Sequence, residues 1–187
     1  MRVVPVLLTG LLRPCLANVW KCLLVSIAFT GVLAAQAGLT APRGYRFPRD
    51  ADYSGDWKAF RAEMPLPFVV RSDFNGDGRQ DEVWLLPRST GRGFGLFAYM
   101  GTPSGSPRAV ALERDPTSDA QSFGVALVDP GRYKTACGKG YWECKRDEPE
   151  VLSLKLPSLE FFKFESASSI FWWDRRSASF KRTAISD

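Results

Sequence analysis

RSDFNGDGRQDEVWLL, residues 71–86, places a polar loop containing two glycines directly before an apolar run. A second apolar run, PFVVR, leads into the loop from residues 67–71. Apolar runs on both sides of a turn-forming segment are typical of two antiparallel strands joined by a loop. The stretch therefore predicts the repeating unit of the fold, which is a strand, a polar loop and a second strand.

The same pattern extends along the rest of the chain. Short apolar or β-branched runs alternate with Gly, Pro, Asp and Ser, which favour turns. After PFVVR these runs are EVWLLP, GFGLFAYM, RAVALE, SFGVALVD, EVLSLKL, EFFKFES, SIFWWD and SFKRTAIS. We predict a mainly β fold of the α+β class, an antiparallel sheet or meander with one short N-terminal helix.

The predicted helix is DWKAFRAEM, which precedes the first strand. Its apolar residues Trp57, Phe60 and Met64 are three and four positions apart, as on one face of a helix, and Pro65 ends the pattern.

The N-terminus has the composition of an export signal. Residues 1–37 contain basic side chains and no acidic ones, and they end in an apolar run followed by Ala35, Gln36 and Ala37. This pattern predicts a signal peptide at 1–37 and a periplasmic or secreted protein, with a retained membrane anchor as the alternative. In the anchor alternative, the uncleaved leader is the only membrane contact. Residues 38–54 form a lead-in segment rich in Gly, Pro and charge, and residues 55–187 form a single β-rich domain.

Charge and composition exclude several functions. Three of the 25 basic residues lie in the predicted leader, so 22 remain against 20 acidic residues, a net charge of +2. Such a weak charge does not indicate a nucleic-acid partner. The chain has no histidine, which excludes Ser-His-Asp and Cys-His catalysis and histidine-containing zinc sites.

Two cysteines follow the predicted leader, Cys137 and Cys144 in CGKGYWEC. In an exported protein this spacing predicts a disulfide that closes a small loop, and the two glycines give the loop the freedom to close. Two unpaired thiols in a turn are the alternative.

The opening loop carries oxygen donors at alternate positions. Ca²⁺ takes six to eight oxygen ligands, and a curled loop can direct alternate side chains inward. The predicted donors are the side chains of Asp73, Asn75, Asp77 and Asp81 and the carbonyl of Arg79. Glu82 could assist indirectly. The alternative is a polar hairpin turn in which the Asp side chains cap backbone amides.

The segment DFNGDGRQD, residues 73–81, resembles the calcium loops of FG-GAP and VCBS-type repeats. That resemblance implies a strand-loop-strand hairpin that holds Ca²⁺ through the same five residues. Such repeats usually come in series and build propellers, whereas this chain has one copy. Together with CGKGYWEC and the aromatic C-terminal segment, the loop also resembles small exported bacterial proteins, a resemblance that implies no reaction.

Aromatic segments suggest two further binding surfaces. RGFGLFAY, residues 92–99, approaches an RNA-recognition signature, although we interpret it as a core strand. In SIFWWD, neighbouring Trp172 and Trp173 must face opposite sides of a strand. One of them is therefore either exposed as a contact surface for sugar or protein, or covered by the helix or lead-in.

Acidic clusters are the remaining catalytic candidates. Asp147, Glu148 and Glu150 are close in sequence, and Glu160 and Glu165 flank aromatic residues. A suitably spaced pair could hydrolyse a glycan, although a charge cluster beside a proline is usually a solvated loop.

The sequence as a whole favours an exported, noncatalytic β-rich module that binds Ca²⁺ and a protein or glycan partner. An acidic-residue hydrolase acting on glycan or peptide is one alternative, and an inhibitor or immunity-like protein is another.

Overall fold

Ten strands dominate the computed structural model, which describes residues 38–187, and every strand pairing is antiparallel. The predicted mainly β fold is confirmed, whereas the predicted leader lies outside the described residues. The strands are β1 (Val69–Ser72), β2 (Asp81–Pro87), β3 (Phe94–Met100), β4 (Arg108–Asp115), β5 (Phe123–Val128), β6 (Gly131–Lys134), β7 (Val151–Leu154), β8 (Ser158–Lys163), β9 (Ser168–Asp174) and β10 (Ser179–Ser186).

These strands form two four-stranded sheets and a ribbon. The first sheet is a meander in the order β1-β2-β3-β4. The second has the order β10-β9-β8-β5, and β6 pairs with β7 in a separate two-stranded ribbon.

The main core lies between the two sheets. Phe94 of β3 contacts Phe123 and Phe161 of the second sheet, with ring centroids 4.7 and 5.8 Å apart. A backbone hydrogen bond of 2.8 Å from Val125 N–H to the Pro67 carbonyl joins β5 to the segment before β1. Such aromatic pairs stabilise a core beyond their area burial, which explains the density of Phe in these strands.

The lead-in segment covers the other face of the first sheet. Trp84 and Phe97 are cross-strand partners, so their side chains lie on the face opposite Phe94. Phe47 packs against Trp84 with ring centroids 5.0 Å apart, and Tyr45 packs against Phe97 at 4.9 Å. The lead-in segment is thus a packed layer of the fold.

The ribbon covers the outer face of the second sheet. Ile170 and Trp172 of β9 pack with Leu152 and Leu154 of β7. Trp173 instead contacts Phe180 on the opposite face, with ring centroids 5.3 Å apart. The two tryptophans therefore face opposite sides of β9, as predicted. The ribbon covers Trp172, whereas the helix or the lead-in segment was the predicted cover.

The helix is shorter than DWKAFRAEM predicts. Helix α1 spans Gly55–Ala59, and Phe60 already has non-helical backbone angles. Only Trp57 is fully buried in the predicted segment, so packing supports little more than one turn. Short 3-10 turns lie at Asp50–Asp52, Ala120–Ser122 and Cys137–Lys139. Among residues 38–187, no helix has the length and hydrophobicity needed to cross a membrane.

Candidate functional site

The loop between β1 and β2 contains the predicted calcium ligands. Ser72 and Asp81 are the last cross-strand partners before it, so the segment is a strand-loop-strand hairpin. Gly76 and Gly78 have φ values of 75° and 81°, a left-handed conformation that other residues adopt at a cost. The two glycines allow the loop to curl back on itself.

Asp73 is the centre of the loop's hydrogen bonding. Its Oδ1 accepts hydrogen bonds from the backbone N–H groups of Gly76 (2.7 Å) and Asp77 (3.1 Å). Its Oδ2 accepts one from Gly78 N–H at 2.8 Å. One carboxylate thus binds three successive backbone amides, as a side chain that caps a turn does.

Asn75 and Asp77 continue this pattern. Asp77 N–H donates to Asn75 Oδ1 at 2.9 Å, and Arg79 N–H donates to Asp77 Oδ1 at 2.8 Å. The Arg79 N–H bond is the main reason that the pKa of Asp77 is lowered. Asp77 Oδ2 faces Asn75 Nδ2 at 3.2 Å and the Arg79 guanidinium at 3.5 Å. Both contacts lie at the surface, so the Asp77 carboxylate can be reached from solvent.

Asp81 differs from the other loop carboxylates because it is fully buried. Its Oδ2 accepts a hydrogen bond from Phe74 N–H at 3.0 Å, and its Oδ1 accepts one from Gly101 N–H at 2.8 Å. Burial raises the pKa of Asp81, and the negative charges of Asp77 and Asp73 raise it further. The two hydrogen bonds from backbone amides lower it in part. Asp81 links the loop to the end of β3.

The five predicted ligands lie in one loop, but their side chains are not assembled around one point. Residues 38–187 contain no group of three or more His, Cys, Asp or Glu side chains that could hold a metal ion as placed here. The oxygen donor types nevertheless fit Ca²⁺, which prefers carboxylate, amide and carbonyl oxygens. Glu82, which was expected to assist only indirectly, contacts Arg71 and Trp84 through its Oε2.

The structure joins Cys137 and Cys144 in a disulfide, with Cα atoms 5.0 Å apart. Between them the chain displays Tyr141 and Trp142, which are 54% and 37% exposed. Sequence reasoning identified the loop by its cysteines and missed these two aromatic residues. The available signal was their position in a loop too short to bury them.

A polar cleft of about 270 Å³ lies beside the disulfide loop. Glu148 is part of its wall and accepts hydrogen bonds from the Trp142 indole N–H at 3.1 and 3.2 Å. The cleft is lined by Lys145, Asp147, Glu148, Pro149, Arg182, Thr183 and Ala184. Two of the predicted acidic residues therefore meet at one surface.

The other acidic candidates are elsewhere. Glu150 does not line the cleft, and its backbone carbonyl accepts a hydrogen bond from Thr135 N–H at 3.0 Å. Glu160 lies within β8, whereas Glu165 is in the turn after β8 with a φ of 54°.

The aromatic residues of RGFGLFAY do not form a base-stacking surface. Phe94, Phe97 and Tyr99 are all buried, Phe94 between the sheets and the other two under the lead-in segment.

Comparison of the chain with known protein families, with curated proteins and with solved structures finds no match.

Proposed function

We propose that this chain is an exported, noncatalytic β-rich module that binds Ca²⁺ through the loop of residues 73–81 and binds a protein or glycan partner. The observation that carries the calcium site is the burial of Asp81 beside Asp73 and Asp77. Three carboxylates in one short loop repel one another, and a bound cation offsets that repulsion.

The exposed contacts of Asp77 suggest how the ion enters. Asp77 Oδ2 is held only by Asn75 Nδ2 and by the Arg79 guanidinium, which is 44% exposed. Ca²⁺ would replace these two contacts while the backbone hydrogen bonds to Asp73 persist, because a carboxylate oxygen can accept a hydrogen bond and bind a cation. The donors would be Asp73, Asn75, Asp77, Asp81 and the Arg79 carbonyl.

The noncatalytic part of the proposal is supported by the contacts of Glu148. Both of its carboxylate oxygens accept hydrogen bonds from Trp142 Nε1. The other acidic residue that lines the cleft, Asp147, shares it with Lys145 and Arg182. Hydrolysis by a carboxylate pair needs both carboxylates at the substrate, and Glu148 is engaged in holding an aromatic ring.

Calcium-dependent unfolding tests the ion site. The oxidised protein is unfolded thermally after chelation, and again with excess Ca²⁺ or Mg²⁺. An ion at 100 times its dissociation constant stabilises by ~2.7 kcal/mol, which raises the melting temperature by roughly 5 to 10 °C for a protein of this size. We expect that rise with Ca²⁺ and its loss in Asp77→Ala.

Asp115→Ala is the matched control. Asp115 is a half-buried aspartate that also caps a turn, through hydrogen bonds from Thr117 N–H and Ser118 N–H. This variant should lose some stability and keep the full calcium shift. The same melting temperature in the wild-type protein with and without Ca²⁺ would contradict the proposal and leave the loop as a polar turn.

A further inference from the structure

We infer that the disulfide loop and the adjoining cleft form a binding site for a neutral oligosaccharide. This inference rests on the proposed function, because it names the class of the partner and the surface that binds it. The site consists of the aromatic pair Tyr141 and Trp142, and of the cleft lined by Lys145, Asp147 and Glu148 together with Arg182 and Thr183.

The aromatic pair is exposed although it lies in a loop that is closed by a disulfide. Tyr141 and Trp142 are two of the four large hydrophobic residues exposed among residues 38–187, and they are the aromatic ones. Aromatic rings of this kind have an apolar face and a polar edge. The apolar C–H face of a sugar ring stacks on such a surface while its hydroxyl groups reach polar neighbours.

Trp142 is held in one orientation. Its indole N–H donates to both oxygens of Glu148, and Glu148 N–H in turn donates to the Lys145 carbonyl at 3.0 Å. A ring fixed before binding loses little conformational entropy when a ligand stacks on it. Glu148 thus positions the ring.

The backbone beneath the aromatic pair is anchored as well. Thr135 is fully buried, its Oγ1 donates to the Pro149 carbonyl at 2.8 Å, and it accepts a hydrogen bond from Gly138 N–H at 3.1 Å. Tyr141 N–H donates to the Ala136 carbonyl at 3.1 Å. Together with the disulfide, these bonds join both ends of the loop to the ribbon.

The charges in the cleft favour a neutral ligand. The wall of the cleft carries the carboxylates of Asp147 and Glu148 and the ammonium group of Lys145, whereas the Arg182 guanidinium pairs with Glu113 at 2.6 Å. A uronate or sulfated sugar would meet two carboxylates at close range, which disfavours it. Hydroxyl and acetamido groups can both donate and accept hydrogen bonds, so they suit a wall of mixed charge.

The shape of the surface favours a glycan over a protein. Protein interfaces centre on a dry apolar patch, whereas this cleft is lined mainly by charged and polar side chains. Small-molecule sites are concave and place a few polar groups beside an apolar surface. Here Glu148 joins the polar cleft to the exposed Trp142 ring, so a sugar can form hydrogen bonds in the cleft while it stacks on the ring.

Calorimetric titration of the oxidised protein tests the inference. The probes are cellotetraose and the N-acetylglucosamine tetramer as neutral sugars, with trigalacturonate as the anionic comparison. We expect a neutral tetrasaccharide to bind and trigalacturonate to bind at least tenfold more weakly. Binding should also change the tryptophan fluorescence, because the sugar displaces water from Trp142.

Substitutions of the aromatic pair separate stacking from general surface effects. Trp142→Ala should weaken binding at least tenfold, whereas Trp142→Phe should keep most of the affinity by retaining an aromatic face. Leu127→Ala is the matched control, because Leu127 is 48% exposed and lies on β5 outside the cleft. Reduction of the disulfide should weaken binding in the wild-type protein.

Three results would overturn the inference. The first is that neither neutral tetrasaccharide binds the folded, oxidised protein. The second is equal affinity in Trp142→Ala and wild type, and the third is stronger binding of trigalacturonate. Retention of a protein partner through Trp142 without any sugar binding would assign the surface to proteins.

The calcium and sugar proposals can fail separately. Trp142→Ala leaves the calcium loop intact and should keep the calcium-induced rise in melting temperature, while Asp77→Ala should keep sugar binding. Sugar binding without a calcium shift would remove only the ion site. A calcium shift without sugar binding would remove only the oligosaccharide site.

Discussion

Asp81 illustrates how one side chain can have a structural role that its sequence position does not reveal. Its place in DFNGDGRQD predicts a calcium ligand. The structure shows in addition that it accepts hydrogen bonds from the backbone of its own loop and from Gly101, the residue after β3. The second contact depends on how β3 pairs with β2, so the loop sequence alone could not predict it.

We expect Asp81→Ala to destabilise the protein even without calcium. The change leaves the buried Phe74 N–H and the half-buried Gly101 N–H without their acceptor, which costs about 2 to 3 kcal/mol. Urea unfolding after chelation measures the loss. Asp77→Ala is the comparison and should lose less stability than Asp81→Ala, because Asp77 is exposed. Equal losses in the two variants would contradict this role of Asp81.

Asp52 provides a pH-dependent prediction for the lead-in segment. Arg46 donates two hydrogen bonds to the Asp52 carboxylate at 2.6 and 2.7 Å, and these bonds are the main reason that the pKa of Asp52 lies below its ordinary value of 3.8. A lowered pKa contributes stability above pH 3.8, and that stability is lost as the pH falls through the lowered value.

Asp52→Asn should therefore lower the free energy of unfolding by about 1 kcal/mol at pH 7 and pH 5. The difference from wild type should shrink below about pH 4, because the wild-type carboxylate then becomes protonated. Denaturant unfolding between pH 3 and pH 7 measures it. A difference that stays constant down to pH 3 would show that the ion pair is not its cause.

At the scale of single elements, the disulfide loop depends on one close backbone approach. A Cβ atom on Gly138 would overlap the backbone carbonyl oxygen of Glu150. Glu150 also accepts the Thr135 N–H bond that begins the β6-β7 pairing, so neither segment can move away without breaking the ribbon. Position 138 therefore requires glycine, because there is no space for a side chain beside the Glu150 backbone.

Gly138→Ala should cost about 2 to 3 kcal/mol and slow the formation of the disulfide. Gly131→Ala is the control, because an added Cβ there would lie 3.3 Å from the Tyr133 ring, which can shift. It should cost less than about 1 kcal/mol. Thermal unfolding and thiol titration of both variants measure the effects, and a Gly138→Ala protein as stable as wild type would be inconsistent with the packing.

Most elements could be predicted from the sequence, and the exceptions have physical causes. The nine predicted runs correspond to β1 to β5 and β7 to β10. Strand β6, GRYK, was missed because it lacks an apolar pattern, and its pairing with β7 defines it instead. The helix was predicted too long, because spacing alone could not show that only Trp57 enters the core.

At the scale of the whole molecule, the fold has more layers than a meander implies. The sequence predicts strands and alternation, but it does not predict which strands are neighbours. The pairing of β5 with β8 bypasses β6 and β7, and the lead-in segment covers a face that the prediction left unassigned. Both arrangements result from burying aromatic residues on both faces of the sheets, which depends on contacts distant in sequence.

Phe47→Ala tests the lead-in segment as a structural layer. Phe47 packs against Trp84 and Tyr99, so its removal should cost about 2 to 3 kcal/mol and uncover apolar surface on the first sheet. Denaturant unfolding and binding of a hydrophobic dye measure these effects. Tyr141→Ala is the control and should change stability by less than about 0.5 kcal/mol. Unchanged stability in Phe47→Ala would show that the segment only rests on the sheet.

The strand orders of the two sheets also determine when each can form during synthesis. The first sheet joins consecutive strands within residues 69–115, so its contacts are local and can form early. In the second sheet, β5 cannot pair until β8 has been synthesised, after residues 129–157. That sheet is complete only when β10 has been added. Until then Phe94 and its neighbours on the inner face of the first sheet lack their cover. The growing chain therefore passes through a half-formed stage, and that stage is where chaperone binding and aggregation should be concentrated.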